Sequence, residues 1–405
     1  MKHKNTAYIS REALRQNYLA IDKIVAEQSA AQGAKKPRVI CVVKADGYGH
    51  GIATVAGTLG GAGCDFFAVS SEDEAVELRE IENRNGRHPD ILILGHIMPE
   101  NVGEMIEKDI TCACVSLDNA RELSEAAARY SRRERAADRL KIHIKLDTGM
   151  NRVGFPADEQ RQEKTVREIE EVSADENLAV CGIFTHFSCA DDELMDGRTL
   201  SGYEIFGGYT GLQLMRYRAV TDELMRRGVD VGVRHTANSA AALCFPEAYF
   251  DAVRAGVIIY GLMPNGGIDE RFRPVMRFDS SVVHLHEMRP GDRVSYGAQF
   301  VAEHPMTVAT VAAGYADGFE RAYSGCCVKI GDRMYRQIGR ICMDQFMVDV
   351  TPLEGEELDV RVGDPVTLFG GDDGQMTDTL ARLAGTINYE VVCKVSKRVP
   401  REVIE

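Results

Sequence analysis

The chain has 405 residues, 44% hydrophobic and 27% charged, with 48 basic against 62 acidic side chains for a net charge of −14. That composition supplies apolar material for a sizeable core and excludes a disordered chain; the acidic balance excludes a general nucleic-acid binder. No stretch reaches the roughly eighteen continuous apolar residues of a membrane helix, and the opening MKHKNTAYISREALRQNY lacks the apolar centre of a signal peptide. The expectation is a cytoplasmic protein with neither nucleic acid nor membrane as partner.

Along the chain, apolar β-type runs alternate with helical stretches. The runs are RVICVVK (38–44), CDFFAVS (64–70), ILILGHI (91–97), TCACVS (111–116), LKIHIKLD (140–147), LAVCGIFTHF (178–187), VGVRHT (231–236) and DAVRAG (251–256). SEDEAVELREIEN after the second run predicts a helix capped by Ser71, and SLDNARELSEAAARY after the fourth predicts another. Several runs are solidly apolar, as strands covered on both faces must be. Eight such units over some 250 residues predict an N-terminal (β/α)8 TIM barrel in an α/β fold. Among eleven scattered cysteines, Cys112 and Cys114 share one face of a strand and read as buried thiols rather than a zinc site. Beyond Gly261, PNGGIDERFRP is followed by the β-type runs 280–288, 306–314, 327–332, 346–350 and 364–370 without intervening helices. This predicts a separate, mostly β domain, with the boundary near 262–272: residues 1–265 the barrel, 266–405 the C-terminal domain.

Polar residues collect at the C-terminal ends of the eight runs, the rim where barrels of this kind do chemistry. They are Lys44, then Lys145 and Asp147 followed by Arg152, then His186, His235 followed by Asn238 and Ser239, and Arg254 followed by Gly256. Lys44 leaves the apolar VICVV at the edge of a dry core, where a lysine loses its proton readily and becomes a Schiff-base nucleophile. A lysine snorkelling from a strand end fits that residue equally well. Glycines 47, 49 and 51 suggest a dinucleotide loop, but Ile52 stands where G-x-G-x-x-G needs its third glycine. Ser239 and Gly256 follow runs seven and eight, whose loops commonly cradle phosphate, although an N-cap and a plain turn explain them individually. A lysine for an aldehyde, a phosphate cradle and an arginine on one rim point to pyridoxal phosphate (PLP). His186, His50 and His235 read individually as structural strand-end histidines, and Arg152 as a surface ion pair.

The segments VVKADGYGHG, KLDTGMNRVGF, THFSCADD, HTANSAA, VRAGVIIYG, VSYGAQF, AAGYADGFERAYSG, GRICMDQFMVDV and INYE, in this order from about 38 to 390, strongly resemble bacterial alanine racemase, a fold-type III PLP enzyme family. The resemblance implies a head-to-tail homodimer whose active sites take residues from both subunits, and a first strand (TAYISR, 6–11) that belongs with the C-terminal domain. It implies that Lys44 carries PLP, that Tyr48, Ser239, Gly256, Val257 and Tyr389 hold its phosphate with Asn238 nearby, and that Arg254 faces the pyridine nitrogen. His186 would link Arg254 towards Tyr296, the second catalytic base, entering from the partner subunit. Arg152, with Met343 and Asp344 of the partner, would surround the substrate carboxylate. Lys145 matches a lysine that is carbamylated in many members and orients Arg152; Tyr315 and Asp191 would line the entrance. The implied function is interconversion of L- and D-alanine by two bases, supplying D-alanine for peptidoglycan.

The departures are small. Gly47 stands where many members have Ala, Ala255 where many have Pro, and segment 193–212 looks longer and richer in glycine than usual. Within the same class, a serine or larger-residue racemase is the alternative, against which Tyr389 and Met343 argue for a small pocket. A non-catalytic PLP barrel is the alternative of another class, against which the second domain and Tyr296 argue.

Overall fold

The computed structural model describes residues 5–134, 139–191, 208–371 and 375–405. Residues 193–207 of the glycine-rich segment therefore lie outside the described part. The chain divides into two compact units, Tyr18–Gly47 with Val55–Ile259, and Met1–Asn17 with Tyr48–Thr54 and Tyr260–Glu405.

Strand β1 (Thr6–Ser10) opens the described chain and leads directly into the helix Arg11–Ala31. The first unit then contains β2 (Arg38–Val42), β3 (Phe66–Val69), β4 (Asp90–Ile93), β5 (Thr111–Cys114), β6 (Leu140–Asp147), β7 (Phe155–Pro156), β8 (Leu178–Phe184), β9 (Val233–His235) and β10 (Ala252–Ala255). All pairings among them are parallel. The order β5-β4-β3-β2-β10-β9-β8-β6 closes on itself through β5 and β6, so eight strands form a barrel, each within one of the eight apolar runs or one residue of it. β3 and β5 are buried at every residue, which is why they read as continuous apolar runs. The helix Glu72–Arg84 starts where the sequence predicts, with Ser71 Oγ accepting from the Glu74 amide and three acidic residues in its first turn. Cys112 and Cys114 are buried and free, and burial pushes the Cys114 thiol up to about 12.

In the second unit, β11 (Met276–Met288), β12 (Arg293–Val294), β13 (Phe300–Val301), β14 (Met306–Val311), β15 (Cys327–Ile330), β16 (Arg333–Ile338), β17 (Phe346–Asp349), β18 (Pro365–Gly370) and β19 (Arg401–Ile404) are almost entirely antiparallel. β11 is long enough to pair with β18 through Arg277–Ser281 and with β14 through Val282–Met288, and a register shift lies in each pairing. It thereby returns the strand order β14-β17-β16-β15-β18-β11 to its start. β1 lies between β11, antiparallel, and β19, parallel. The inside is filled by Phe278, Val308, Val311, Phe319, Tyr323, Phe346 and Phe369. Up to β18 the strands are interrupted only by the single 3-10 turns Tyr315–Asp317 and Arg321–Tyr323, after which Gln375–Ala384 and Asn388–Cys393 are α-helical.

Candidate active site

Because the barrel strands are parallel, their C-terminal ends form one rim, and the sequence-predicted Lys44, Lys145, His186, His235 and Arg254 stand at or just past those ends. Lys44, half-buried, is the second residue past β2. The backbone behind it turns left-handed, with φ of 54°, 53°, 61° and 53° at Ala45, Asp46, Gly47 and Tyr48. Three of these four are not glycine, so the turn is strained and has to be held from outside. Glu74 does this: its carboxylate accepts from the Ala45 amide at 2.6 Å and from the Ser70 amide and hydroxyl at 2.8 and 2.9 Å.

Arg254 is buried, and both of its Nη atoms are bonded to neighbouring strand ends. Its guanidinium donates to the carbonyls of Thr185 (2.7 Å), His235 (2.9 Å) and Thr236 (2.9 Å), to His235 Nδ1 (2.9 Å) and to His186 Nδ1 (3.3 Å). Arginine has no lone pair to offer, so both imidazole Nδ1 atoms must be acceptors. His235 therefore carries its proton on Nε2 and donates it to His143 Nδ1 at 2.9 Å. His186 keeps its proton on Nε2. Burial, reinforced by Arg254, pushes His186 and His235 well below the usual imidazole value, and burial takes His143 down to about 3. A buried cation thus lies against neutral imidazoles. The ring of Phe184 stacks on His235 at 4.9 Å and lies 5.6 Å from the Arg254 guanidinium and 5.0 Å from Lys145 Nζ. His143, in the middle of β6, was not singled out from sequence.

Lys145 is buried, and its burial, with Arg254 and Arg152 nearby, pushes the amine down to about 7. Only the neutral amine reacts with carbon dioxide, which supplies the chemical basis for the expected carbamate. The DTGMNRVG loop that follows has a clear local logic. Asp147 Oδ1 accepts from the Gly149 and Asn151 amides at 2.9 and 3.0 Å, a tight side-chain-to-backbone turn. The loop then folds back so that β7 pairs beside β6, and at Gly154 (φ 132°) a Cβ would meet the Asp147 amide and the Lys145 carbonyl at 2.8 Å. Arg152 stands exposed on this loop.

Ser239 and Gly256 come together: the Gly256 amide donates to Ser239 Oγ at 2.9 Å, with Val257 buried alongside. Asn238 caps the short helix Ser239–Cys244, accepting from the Ala241 amide at 3.0 Å. Asp191 ends this described stretch, half-buried.

The remaining predicted residues belong to the second unit. The Tyr48 ring lies 4.8 Å from Tyr260 and 6.3 Å from Tyr389, and burial raises its phenol pKa. Tyr296, Met343 and Asp344 line a shallow depression with Ser295, Cys342, Gln345 and Met347. Tyr296 is 72% and Met343 52% exposed, unusual for large apolar side chains. The Tyr315 and Ala316 amides donate to the Cys342 and Met343 carbonyls, which seats the Tyr315 turn against that depression. The Asp344 carboxylate is held by Arg398 at 2.8 Å, and Arg398 also grips Asp317 at 2.7 Å. Arg398 was not anticipated either; nothing in its local sequence, SKRVP, distinguishes it.

Comparison with known proteins covers nearly the whole chain. Residues 9–264 match the family model of the alanine racemase N-terminal domain and residues 275–403 that of the alanine racemase C-terminal domain. Alanine racemase 1 of Clostridium acetobutylicum is 40% identical over 384 residues, spanning 93% of this chain and 92% of that protein. Alanine racemase of Desulforamulus reducens is 37% identical over 405 residues, 99% of each. Among solved structures, the alanine racemase of Clostridium difficile 630 superposes with a TM-score of 0.85 at 34% identity, covering 100% of this chain and 97% of the other, and its complex with cycloserine does so at 0.82 and 33%, with 100% and 96% covered. With both family models matched and relatives this similar along their full length, the chain belongs to the alanine racemase family.

Proposed function

We propose that this protein interconverts L- and D-alanine with PLP as its cofactor, by two bases on opposite faces of the substrate, and supplies D-alanine for peptidoglycan. The observation that carries the reading is the meeting of Lys44, Arg254 and neutral His186 on one barrel rim. The donor set fits the cofactor: a lysine for the aldehyde, a buried guanidinium for the pyridine nitrogen, the Ser239–Gly256 loops for the phosphate, with Tyr48, Val257 and Tyr389 assigned to the same group by the resemblance. PLP, when bound, supplies the electron sink that makes the substrate Cα–H acidic. Arg254, fixed as a cation by its carbonyl acceptors, would hold the pyridine nitrogen of that group and, being only a donor, would leave it unprotonated, which would moderate the sink against side reactions. Lys44 Nζ takes or returns the proton on one face, for the D-enantiomer. Tyr296 Oη does so on the other, for the L-enantiomer, and is proposed to come from the partner subunit of a homodimer. Arg152, steadied by a carbamate on Lys145, holds the carboxylate together with Met343 and Asp344 of the partner subunit; Tyr315 and Asp191 line the way in. The division into residues 1–265 and 266–405, with residues 1–11 counted to the second domain, and a cytoplasmic location complete the proposal. Among the described residues no helix is long and apolar enough to cross a membrane.

The test is turnover of L-alanine, L-serine and L-lysine by PLP-loaded enzyme, read beside its near-visible absorption. Alanine should be turned over fastest, and Lys44→Ala should abolish both activity and the lysine-bound absorption. Faster serine or lysine turnover rejects the substrate, and a colourless, active enzyme rejects the cofactor.

A further inference from the structure

The loop that carries Arg152 is gripped by one face of a single helix. Tyr209, Gln213 and Arg216 are spaced i, i+4, i+7 on the helix Tyr209–Arg226 and therefore share a side. Tyr209 Oη donates to the Gly149 carbonyl at 2.8 Å, Gln213 Nε2 to Thr148 Oγ1 at 3.2 Å, and Arg216 Nη1 to the Thr148 carbonyl at 3.1 Å, while Glu159 holds the rest of the Arg216 fork. The fit is close: at Gly149 (φ 140°) a Cβ would lie 2.5 Å from Tyr209 Oη.

Gln213 is the centre of this grip. It has no exposed surface, and its amide is fully used. Nε2 also donates to the His186 carbonyl at 3.3 Å, and Oε1 accepts from the Ser188 amide and hydroxyl at 2.9 and 3.1 Å. From Gln213 the donors run in one direction: to Thr148 Oγ1, from that hydroxyl to Thr185 Oγ1 (2.8 Å), and from there to the Leu146 carbonyl (2.9 Å). One side chain thus ties the end of β6, the loop of Arg152 and the backbone of His186 together. A buried amide with every partner in place allows a single arrangement, because any other strands buried polar groups.

We propose that Gln213, with Tyr209 and Arg216, is a positioning clamp that sets Arg152 for the substrate carboxylate and holds the strand end of His186. None of the three touches the substrate, and the proposal rests on the reading of Arg152 as the carboxylate ligand. The test is steady-state kinetics of PLP-loaded enzyme. Gln213→Leu should raise KM for L-alanine by roughly tenfold or more with a smaller change in kcat. Tyr209→Phe, which removes one hydroxyl from a partly exposed residue and keeps the fold, should raise KM about threefold. Neither should change the absorption of the bound cofactor. In an Arg152→Lys background, itself raised in KM, both effects should shrink, since the clamp acts through that side chain. Unchanged KM in Tyr209→Phe and Gln213→Leu overturns the clamp, as do effects that add in full on Arg152→Lys, which would make the role merely structural. A wild-type KM in Arg152→Lys itself removes the carboxylate reading and the clamp with it.

Discussion

The state of individual side chains beneath the rim is set by burial. His143, His186 and His235 are all held neutral, and Arg254 remains the cation among them although burial lowers it to about 10. Their titration ties the site to stability. A histidine whose folded pKa is depressed binds fewer protons than it does unfolded between the two values, so stability is lost as pH falls through that window. For His143 the window runs from the ordinary 6.5 down to about 3. Each such histidine contributes a slope of up to about 1.4 kcal/mol per pH unit. His143→Gln should therefore be less stable than wild type at pH 8, having lost its bond with His235, and should lose stability less steeply on acidification. Denaturant unfolding at several pH values measures this, and an unchanged slope would mean that His143 is already charged in the folded protein.

At the scale of elements, the strained left-handed turn after β2 shows how a helix elsewhere in the barrel supports the lysine proposed to carry the cofactor. The helix Glu72–Arg84 is capped by Ser71, which places Glu74 in its first turn, and Glu74 in turn holds the Ala45 amide directly after Lys44. Hydrogen bonds to a charged acceptor are the strong kind. Glu74→Ala should cost about 2 kcal/mol of stability and lower kcat by freeing Lys44 to wander, whereas Asp73→Ala, exposed on the same helix, should do neither. Unfolding and turnover measurements on the two variants decide it; equal behaviour of the pair would leave the turn without its proposed support.

At the scale of the whole molecule, the exposure of Tyr296 and Met343 bears on the proposal of a shared active site. Both stand open on a depression lined also by Met347, apolar surface that the proposed partner subunit would cover. Mixing Lys44→Ala with Tyr296→Ala subunits checks this. If random pairing makes half the dimers mixed and each mixed dimer has one intact site, about a quarter of wild-type activity returns. No recovery despite demonstrated mixed dimers would place both bases in one chain.

Much of the barrel was legible in the residues. Solid apolar runs mark strands covered on both faces, and the polar residue ending each run marks the rim, because in a parallel barrel all run-ends point the same way. Lys44, Lys145, His186, Ser239 and Arg254 could be placed on that rim from the chain alone, and the motifs led to the family. The strands β16 and β19 and the last helices were missed; β16 is largely exposed over its first half and β19 is exposed over its last three residues, so neither carries the apolar run that marks a covered strand. What only the tertiary structure decided are contacts far apart in sequence. His143 sits in KIHIKL like any half-buried strand residue, and only the curvature of the barrel wall brings it across β8 to His235, 92 positions on. Gln213 looks like one polar residue of an ordinary helix until four hydrogen bonds from two other segments converge on its amide. Local pattern determines which element a residue joins and which way that element faces. The protonation state of a histidine and the purpose of a glutamine depend on what the fold packs against them.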